Sequence, residues 1–267
     1  MDRAGATLLE RVMLTVRCHW FNAEATDLRC AVGLVESGGE LISLIDSDPA
    51  EADALLAEAA LRGAYVVTTT FSRPSDLSLR LRRQGFRLIQ RHGVYVYDPA
   101  ATALPARAER RGLLSRLIWR EPLPVVIRKV DAGEIPVWNE ICWRAFGPRG
   151  TLEASLREKQ QAFHSMAGRG SWFLAAVGER AVGTACLFRS PEASQVLAVG
   201  TIPAYRGRGV AARLMETVIH DWRLEGGGPL FLDTNPGGVA ERLYLRIGFH
   251  RFYMRELYAP VRGVGLT

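Results

Sequence analysis

Cysteine is scarce in this chain of 267 residues: there are four, Cys18, Cys30, Cys142 and Cys186. They are scattered, with no C-x-x-C pair and no histidine at ligand spacing. That excludes a disulfide framework or a zinc site as the organising device, so no metal is expected and the four read as reduced core residues. Lysine is scarcer still. Of the 34 basic residues only Lys129 and Lys159 are lysine, so arginine spread along the chain carries the net charge of +6. An arginine habit of this kind is weaker evidence for nucleic acid than a local basic stripe. The one local cluster, Arg107, Arg110, Arg111, Arg116 and Arg120, reads as a solvated linker. No apolar run approaches the ~18 residues of a membrane span, and the first residues lack the apolar core of a signal peptide. The expectation is a cytoplasmic protein with no membrane partner. With 48% hydrophobic and 23% charged residues the composition is that of a globular chain, long enough for one large domain or two small ones.

Pro99, Pro105, Pro122 and Pro124 flank the arginine cluster and separate two stretches of clear hydrophobic periodicity. The expected organisation is therefore a domain at 1–98, a linker at 99–124 and a second domain at 125–267. Residues 125–130 are short and β-branched, a strand; 135–146 and 152–166 have helical spacing. Strands are expected at 172–177, 181–188 and 195–202. After the last comes Arg206-Gly207-Arg208-Gly209, opening a helix with Val210, Leu214, Val218 and Trp222 at i+4 steps. A strand at 230–234, a helix at about 239–246 and a strand at 249–258 complete the half. The first 98 residues offer a shorter version of the same order: strands at 28–35 and 40–45, a helix at 51–61, a strand at 65–70 and a helix ending at Gly85. The run Leu81-Arg82-Arg83-Gln84-Gly85-Phe86 parallels Tyr244-Leu245-Arg246-Ile247-Gly248-Phe249, which suggests a duplicated fold.

The sharpest local signal is Thr201-Ile202-Pro203-Ala204-Tyr205-Arg206-Gly207-Arg208-Gly209-Val210-Ala211, a strand end running through a glycine turn into an amphipathic helix. Amides at a helix N-terminus have no intrahelical acceptor and carry the positive end of the dipole, so they hold anions such as pyrophosphate. Gly207 and Gly209 let the backbone approach closely, and Arg206 and Arg208 add long-range attraction. On those four residues alone a plain helix-start loop stays open. The loop lacks the Lys-Ser/Thr ending of a P-loop and follows a β-meander, unlike the first turn of a dinucleotide fold.

In context the stretch resembles the acetyl-CoA motif of the GNAT superfamily of N-acetyltransferases, Arg/Gln-x-x-Gly-x-Gly/Ala, here Arg206-Gly207-Arg208-Gly209-Val210-Ala211. A second signature of that family, Leu243-Tyr244-Leu245-Arg246-Ile247-Gly248-Phe249, follows in the right order. The resemblance covers residues 125–258. It implies an α+β (mixed α/β) tandem GNAT architecture, each half a mixed, mostly antiparallel sheet flanked by helices, with acetyl-CoA as acyl donor and an amine-bearing molecule as acceptor. It further implies that the amides of Gly207, Arg208, Gly209, Val210, Ala211 and Ala212 hold the CoA pyrophosphate, that Val199, Gly200 and Thr201 pair with pantetheine like an added strand, and that Tyr244 is the general acid that protonates the departing thiolate. Its alternative is an aromatic on the core face of a helix.

The acceptor must also lose a proton: keeping an alkylamine neutral at pH 7 costs roughly 4–5 kcal/mol. Many family members use a carboxylate on the fourth or fifth strand, but the fourth strand here, residues 195–202, contains none. Asp233 on the fifth is the leading candidate base, with Glu241, His164 and a water-mediated route behind it; Asp233 reads equally as a turn or capping residue. The family's asparagine or serine seven residues before the tyrosine is Gly237 here, and Asn235 stands in as the candidate pantetheine contact. In the first half, Asp46, Asp48, Pro49 and Glu51 occupy the place of the pyrophosphate loop and Leu81 that of Tyr244, so that copy is expected to be degenerate. Residues 143–150, with Trp143, Arg144 and Phe146, are expected to line the acceptor side and to suit a carboxylate or apolar portion. The expected function is N-acetyl transfer from acetyl-CoA to a primary amine. A non-catalytic acyl-CoA-binding regulatory module is the alternative, nucleic-acid binding is the weakest reading, and a homodimer is left open.

Overall fold

The structure, a computed structural model, describes residues 2–21, 30–34, 40–44, 48–100, 123–147, 150–225 and 228–261. The elements run α1 (Arg3–Phe21), β1 (Cys30–Leu34), β2 (Glu40–Leu44), α2 (Pro49–Arg62), β3 (Tyr65–Thr69), α3 (Leu77–Arg83), β4 (Phe86–Tyr97), β5 (Val125–Lys129), α4 (Ile135–Phe146), α5 (Leu152–Ser165), β6 (Gly170–Val177), β7 (Arg180–Arg189), β8 (Ser194–Thr201), α6 (Val210–Glu225), β9 (Leu230–Thr234), α7 (Val239–Arg246) and β10 (Phe249–Pro260). The order β-β-α-β-α-β therefore occurs from β1 to β4 and again from β7 to β10. The arginine cluster at 107–120 lies outside the described residues, as do Asp46 and Ser47.

The chain forms two compact units, Met1–Tyr97 with Phe231–Thr267, and Asp98–Leu230. The expected division kept 125–267 together; instead its last strands and helix fold with the N-terminal stretch. The reason is strand pairing. In the first unit β10 lies between β3 and β4 and runs antiparallel to both, while β4 also pairs with β9. The twelve-residue strands β4 and β10 are the longest among the described residues, and their ladder extends from Phe249 opposite Tyr97 to Pro260 opposite Phe86. A strand this long between two partners satisfies its backbone donors and acceptors on both edges. On the outer side β2 runs parallel to β3 and antiparallel to β1.

Local chemistry explains the helices of this unit. Asp48 caps α2 by accepting from the amides of Ala50 and Glu51, both at 2.8 Å; Pro49 opens the helix and Gly63, with φ 66°, closes it. Ala52, Leu56 and Ala59 then face Ile42, Leu44, Val66, Leu77, Leu81, Phe86 and Tyr258 in one core. No sequence reading anticipated α1, although Ala6, Leu9, Val12, Met13 and Val16 are buried at helical spacing. Its Glu10 has no exposed surface; the carboxylate accepts from Tyr253 Oη at 2.7 Å and from Arg255 Nε at 3.1 Å. A buried charge is tolerable only when paired in this way.

The second unit is an antiparallel meander, β5-β6-β7-β8. α4 packs on it through Trp138, whose indole donates to Phe173 O at 3.0 Å and meets Trp172 edge-on with ring centroids 4.6 Å apart. Val210, Leu214, Met215, Val218 and Ile219 make the buried face of α6. Gly183 admits that helix: a Cβ there would stand 2.9 Å from Val210 Cγ1. Asp221 and Arg189 form a largely buried ion pair, joined by Lys129 at 2.6 Å from the same carboxylate.

Candidate active site

The glycine turn belongs to the second unit. Residues Pro203–Tyr205 form a single 3-10 turn, after which Gly207 and Gly209 take φ of 73° and 84°, the left-handed region that a side chain resists. Gly209 immediately precedes α6 and has no side chain with which to cap it, so the first amides of a sixteen-residue helix are left to an external acceptor. Arg206, expected to attract the cofactor, is exposed and also braces the turn: Nε donates to Thr201 O at 3.1 Å and Nη2 to Ala145 O at 2.6 Å, tying the turn to β8 and to the last turn of α4. Arg208 is different. Its Nε is buried without a hydrogen-bond partner.

Upstream, β8 is bulged. Its register against β7 shifts between Thr184 opposite Gly200 and Cys186 opposite Leu197, and Ala198 takes φ 50°. Thr184 Oγ1 holds the bulge by donating to Ala198 O at 2.9 Å. A bulge leaves residues outside the ladder, here Ala198 and Val199, before pairing resumes at Gly200 opposite Thr184. Gly200 must be glycine, because a Cβ there would lie 2.8 Å from both Ala145 Cβ and Phe146 Cε2. Phe146 itself is exposed, Arg144 pairs with Glu140 on the same helix, and residues 148–149 of the expected acceptor segment lie outside the described residues. His164 is exposed on α5, its Nδ1 2.6 Å from Gln160 O.

Tyr244, Asp233, Glu241 and Asn235 belong to the first unit. Tyr244 is buried on α7 against Phe249, with ring centroids 6.0 Å apart. Burial, and secondarily the negative charge of Asp233, raise its phenol well above the ordinary value, so it stays protonated at working pH. Asp233 lies opposite Val94 in the β4–β9 ladder, and its Oδ2 is 2.8 Å from His92 Nδ1. Burial alone would raise the Asp233 carboxyl; the His92 hydrogen bond and the charges of His92, Arg255 and Arg17 outweigh it and hold the group at about 2. It is thus a strongly held carboxylate and a feeble proton acceptor. Glu241, the second candidate base, is also engaged: it accepts from Tyr95 Oη and from the Gly237 amide. Gly93 makes room for that phenol, since a Cβ there would be 2.6 Å from the Tyr95 ring. Asn235 is exposed in the turn after β9.

His92 is the residue that sequence reasoning missed. It sits on β4, opposite Arg255 on β10, and no spacing along the chain connects it to Asp233, 141 positions away. Its other ring nitrogen, Nε2, lies 2.7 Å from Gln90 Nε2. Among the described residues no group of three metal-ligating side chains occurs, and no helix is long and apolar enough to cross a membrane.

No curated protein matches this chain. Among solved structures, a GCN5-related N-acetyltransferase from Kribbella flavida superposes with a TM-score of 0.63 at 16% identity, covering 95% of this chain and 96% of that one. A conserved protein of unknown function from Staphylococcus epidermidis gives 0.59 at 15% identity over 89% and 94%. A GCN5-related N-acetyltransferase from Sphaerobacter thermophilus gives 0.53 at 23% identity over 73% and 59%. At these identities what is shared is the fold. Residues 135–249, which include both the turn at Arg206 and the tyrosine at 244, match the acetyltransferase (GNAT) family.

Proposed function

We propose that the chain is an acetyl-CoA-dependent N-acetyltransferase that acylates a primary amine, and that its first 98 residues are a degenerate copy of the same fold. The observation that carries the reading is the left-handed pair Gly207 and Gly209 opening α6 without a side-chain cap, beside the unpartnered Nε of Arg208. In this reading the amides of residues 207–212 hold the pyrophosphate, the bulged strand at Val199, Gly200 and Thr201 pairs with pantetheine, Asn235 adds a polar contact and Tyr244 protonates the thiolate. The recurring β-β-α-β-α-β order supports duplication. Degeneracy is supported by Leu81, buried in the core at the position aligned with Tyr244 of the C-terminal half, and by Asp48, whose carboxylate fills the α2 amides.

Calorimetry with acetyl-CoA and thiol-release assays over an amine panel test the reading. Binding together with amine-dependent thiol release is the expected result. Binding without release from any amine would favour a non-catalytic acyl-CoA module, and no binding would end the proposal. The exposed Phe146 at the end of α4 supports an acceptor with an apolar portion.

A further inference from the structure

We propose that His92, oriented by Asp233, is the general base that takes the proton from the acceptor ammonium, so that the N-terminal stretch supplies a catalytic group. This rests on the acetyltransferase reading above. The imidazole makes two contacts, one at each ring nitrogen. Asp233 Oδ2 can only accept, so the hydrogen on the 2.8 Å contact belongs to His92 Nδ1. In the neutral ring the lone pair is then on Nε2, where the Gln90 amide donates across 2.7 Å. Gln90 marks a lone pair aimed away from Asp233, and its side chain is exposed and can yield that place to an amine. His92 retains 22% of its side-chain exposure, enough for contact with a solute.

The surroundings suit the task. Imidazole is the side chain fitted to accept a proton near neutral pH, whereas the Asp233 carboxylate is held too low to do so. The imidazolium formed in the step has Asp233 already in place to stabilise it. The ring contacts Asp233 on β9 and lies opposite Arg255 on β10; Arg255 and Arg17 of α1 act on the Asp233 carboxylate, and that carboxylate in turn acts on the phenols of Tyr244 and Tyr253, the latter bonded to Glu10 of α1. Glu10 and Arg255 pair with each other, which leaves Asp233 as the carboxylate that answers the ring.

The step balances as follows. His92 Nε2 removes one proton from the ammonium, and the freed lone pair forms the C–N bond at the acetyl carbonyl. Collapse breaks the C–S bond, and the thiolate takes a proton from Tyr244. The second proton leaving nitrogen restores the Tyr244 phenol, while His92 returns its proton to water. The net change is ammonium plus thioester to amide, thiol and one proton.

The test uses the full chain with spermidine, cadaverine and hydroxylamine as acceptors. His92→Gln should lower thiol release from spermidine and cadaverine at neutral pH by roughly 10²-fold with acetyl-CoA affinity unchanged. The defect should shrink towards pH ~10, where alkylamines deprotonate unaided, and should be small for hydroxylamine, which is already neutral. Asp233→Asn should shift the same pH profile. Nitrogen-detected NMR of the histidine rings needs no acceptor: wild-type His92 should carry its proton on Nδ1, and Asp233→Asn should move it to Nε2. An equal loss at every pH, full activity in His92→Gln, or an Nε2–H ring in the wild type would each overturn the proposal. If the wild type fails to bind acetyl-CoA, the acetyltransferase reading falls and takes this one with it; wild-type turnover with an unaffected His92→Gln removes the dyad alone.

Discussion

Arg206 reaches from the glycine turn to the carbonyl of Ala145, 2.6 Å away and sixty-one positions earlier in the chain. That contact, with the one to Thr201 O, makes Arg206 a brace that fixes where the turn leaves β8. Arg208, two residues on, has a buried Nε without a partner. Two arginines that look equivalent in the sequence therefore have different surroundings.

The two substitutions should separate accordingly. Arg206→Gln removes charge-assisted hydrogen bonds to two carbonyls and should lower Tm by roughly 2–6 °C. Arg208→Gln should leave Tm nearly unchanged and weaken acetyl-CoA binding roughly tenfold, the scale of one charged contact to phosphate. Thermal melts and calorimetry on both proteins check this. Equal effects of the two changes on both readouts would show that the division is wrong.

Gly209 gives a second prediction. At φ 84° a Cβ is strained, although the space around it is open. Gly209→Ala should cost about 1 kcal/mol of stability and, if the turn holds the pyrophosphate as proposed, reduce acetyl-CoA affinity further than that strain explains, because a methyl would then crowd the bound anion. Chemical denaturation alongside calorimetry measures both quantities. Unaltered affinity in the folded variant would remove the loop from the cofactor site.

Much of the architecture was legible in the sequence, and the limits have physical causes. The order from β5 to β10 follows from periodicity and turn residues because each element is locally determined: Gly147, Gly178 and Gly209 stand where the backbone needs positive φ. The glycine turn and Tyr244 could be found as motifs for the same reason. What stayed hidden was long-range pairing. Nothing in 86–97 announces that β4 takes β9 and β10 as neighbours, and without that ladder His92 has no visible link to Asp233. The hydrogen bond of Arg206 to Ala145 O and the pairing of Glu10 with Arg255 are hidden likewise, since a charge in a sequence carries no sign of its partner.

Asp233 also predicts an acid response. Its carboxyl is lowered on folding from 3.8 to about 2, so the unfolded chain binds the proton more tightly. The stability this contributes, roughly 2 kcal/mol, is complete above pH ~4 and lost as pH falls through ~2. Asp233→Asn abolishes that dependence. Urea unfolding of both proteins should show the wild type more stable at pH ~5 and the gap closing towards pH ~2. A gap that is constant across this range would show that the His92 contact does not depress the carboxyl.

The last prediction concerns the two halves. Asp48 accepts from the amides of Ala50 and Glu51, so the N-terminus of α2 already holds an internal anion where α6 has only Gly209. Pro49 contributes no N–H, and Glu51 adds further negative charge in the first turn. An incoming pyrophosphate would have to displace a bonded carboxylate and be repelled by a second. Acetyl-CoA should therefore saturate the chain at one equivalent. Asp48→Ala should cost about 1 kcal/mol through the lost cap without creating a second site, because neither the proline nor the missing left-handed glycine pair is repaired. A titration of wild type and variant by calorimetry decides it: two equivalents bound by the wild type would mean that the first half retains a working site, and a second equivalent appearing only in Asp48→Ala would mean that the cap alone had closed it.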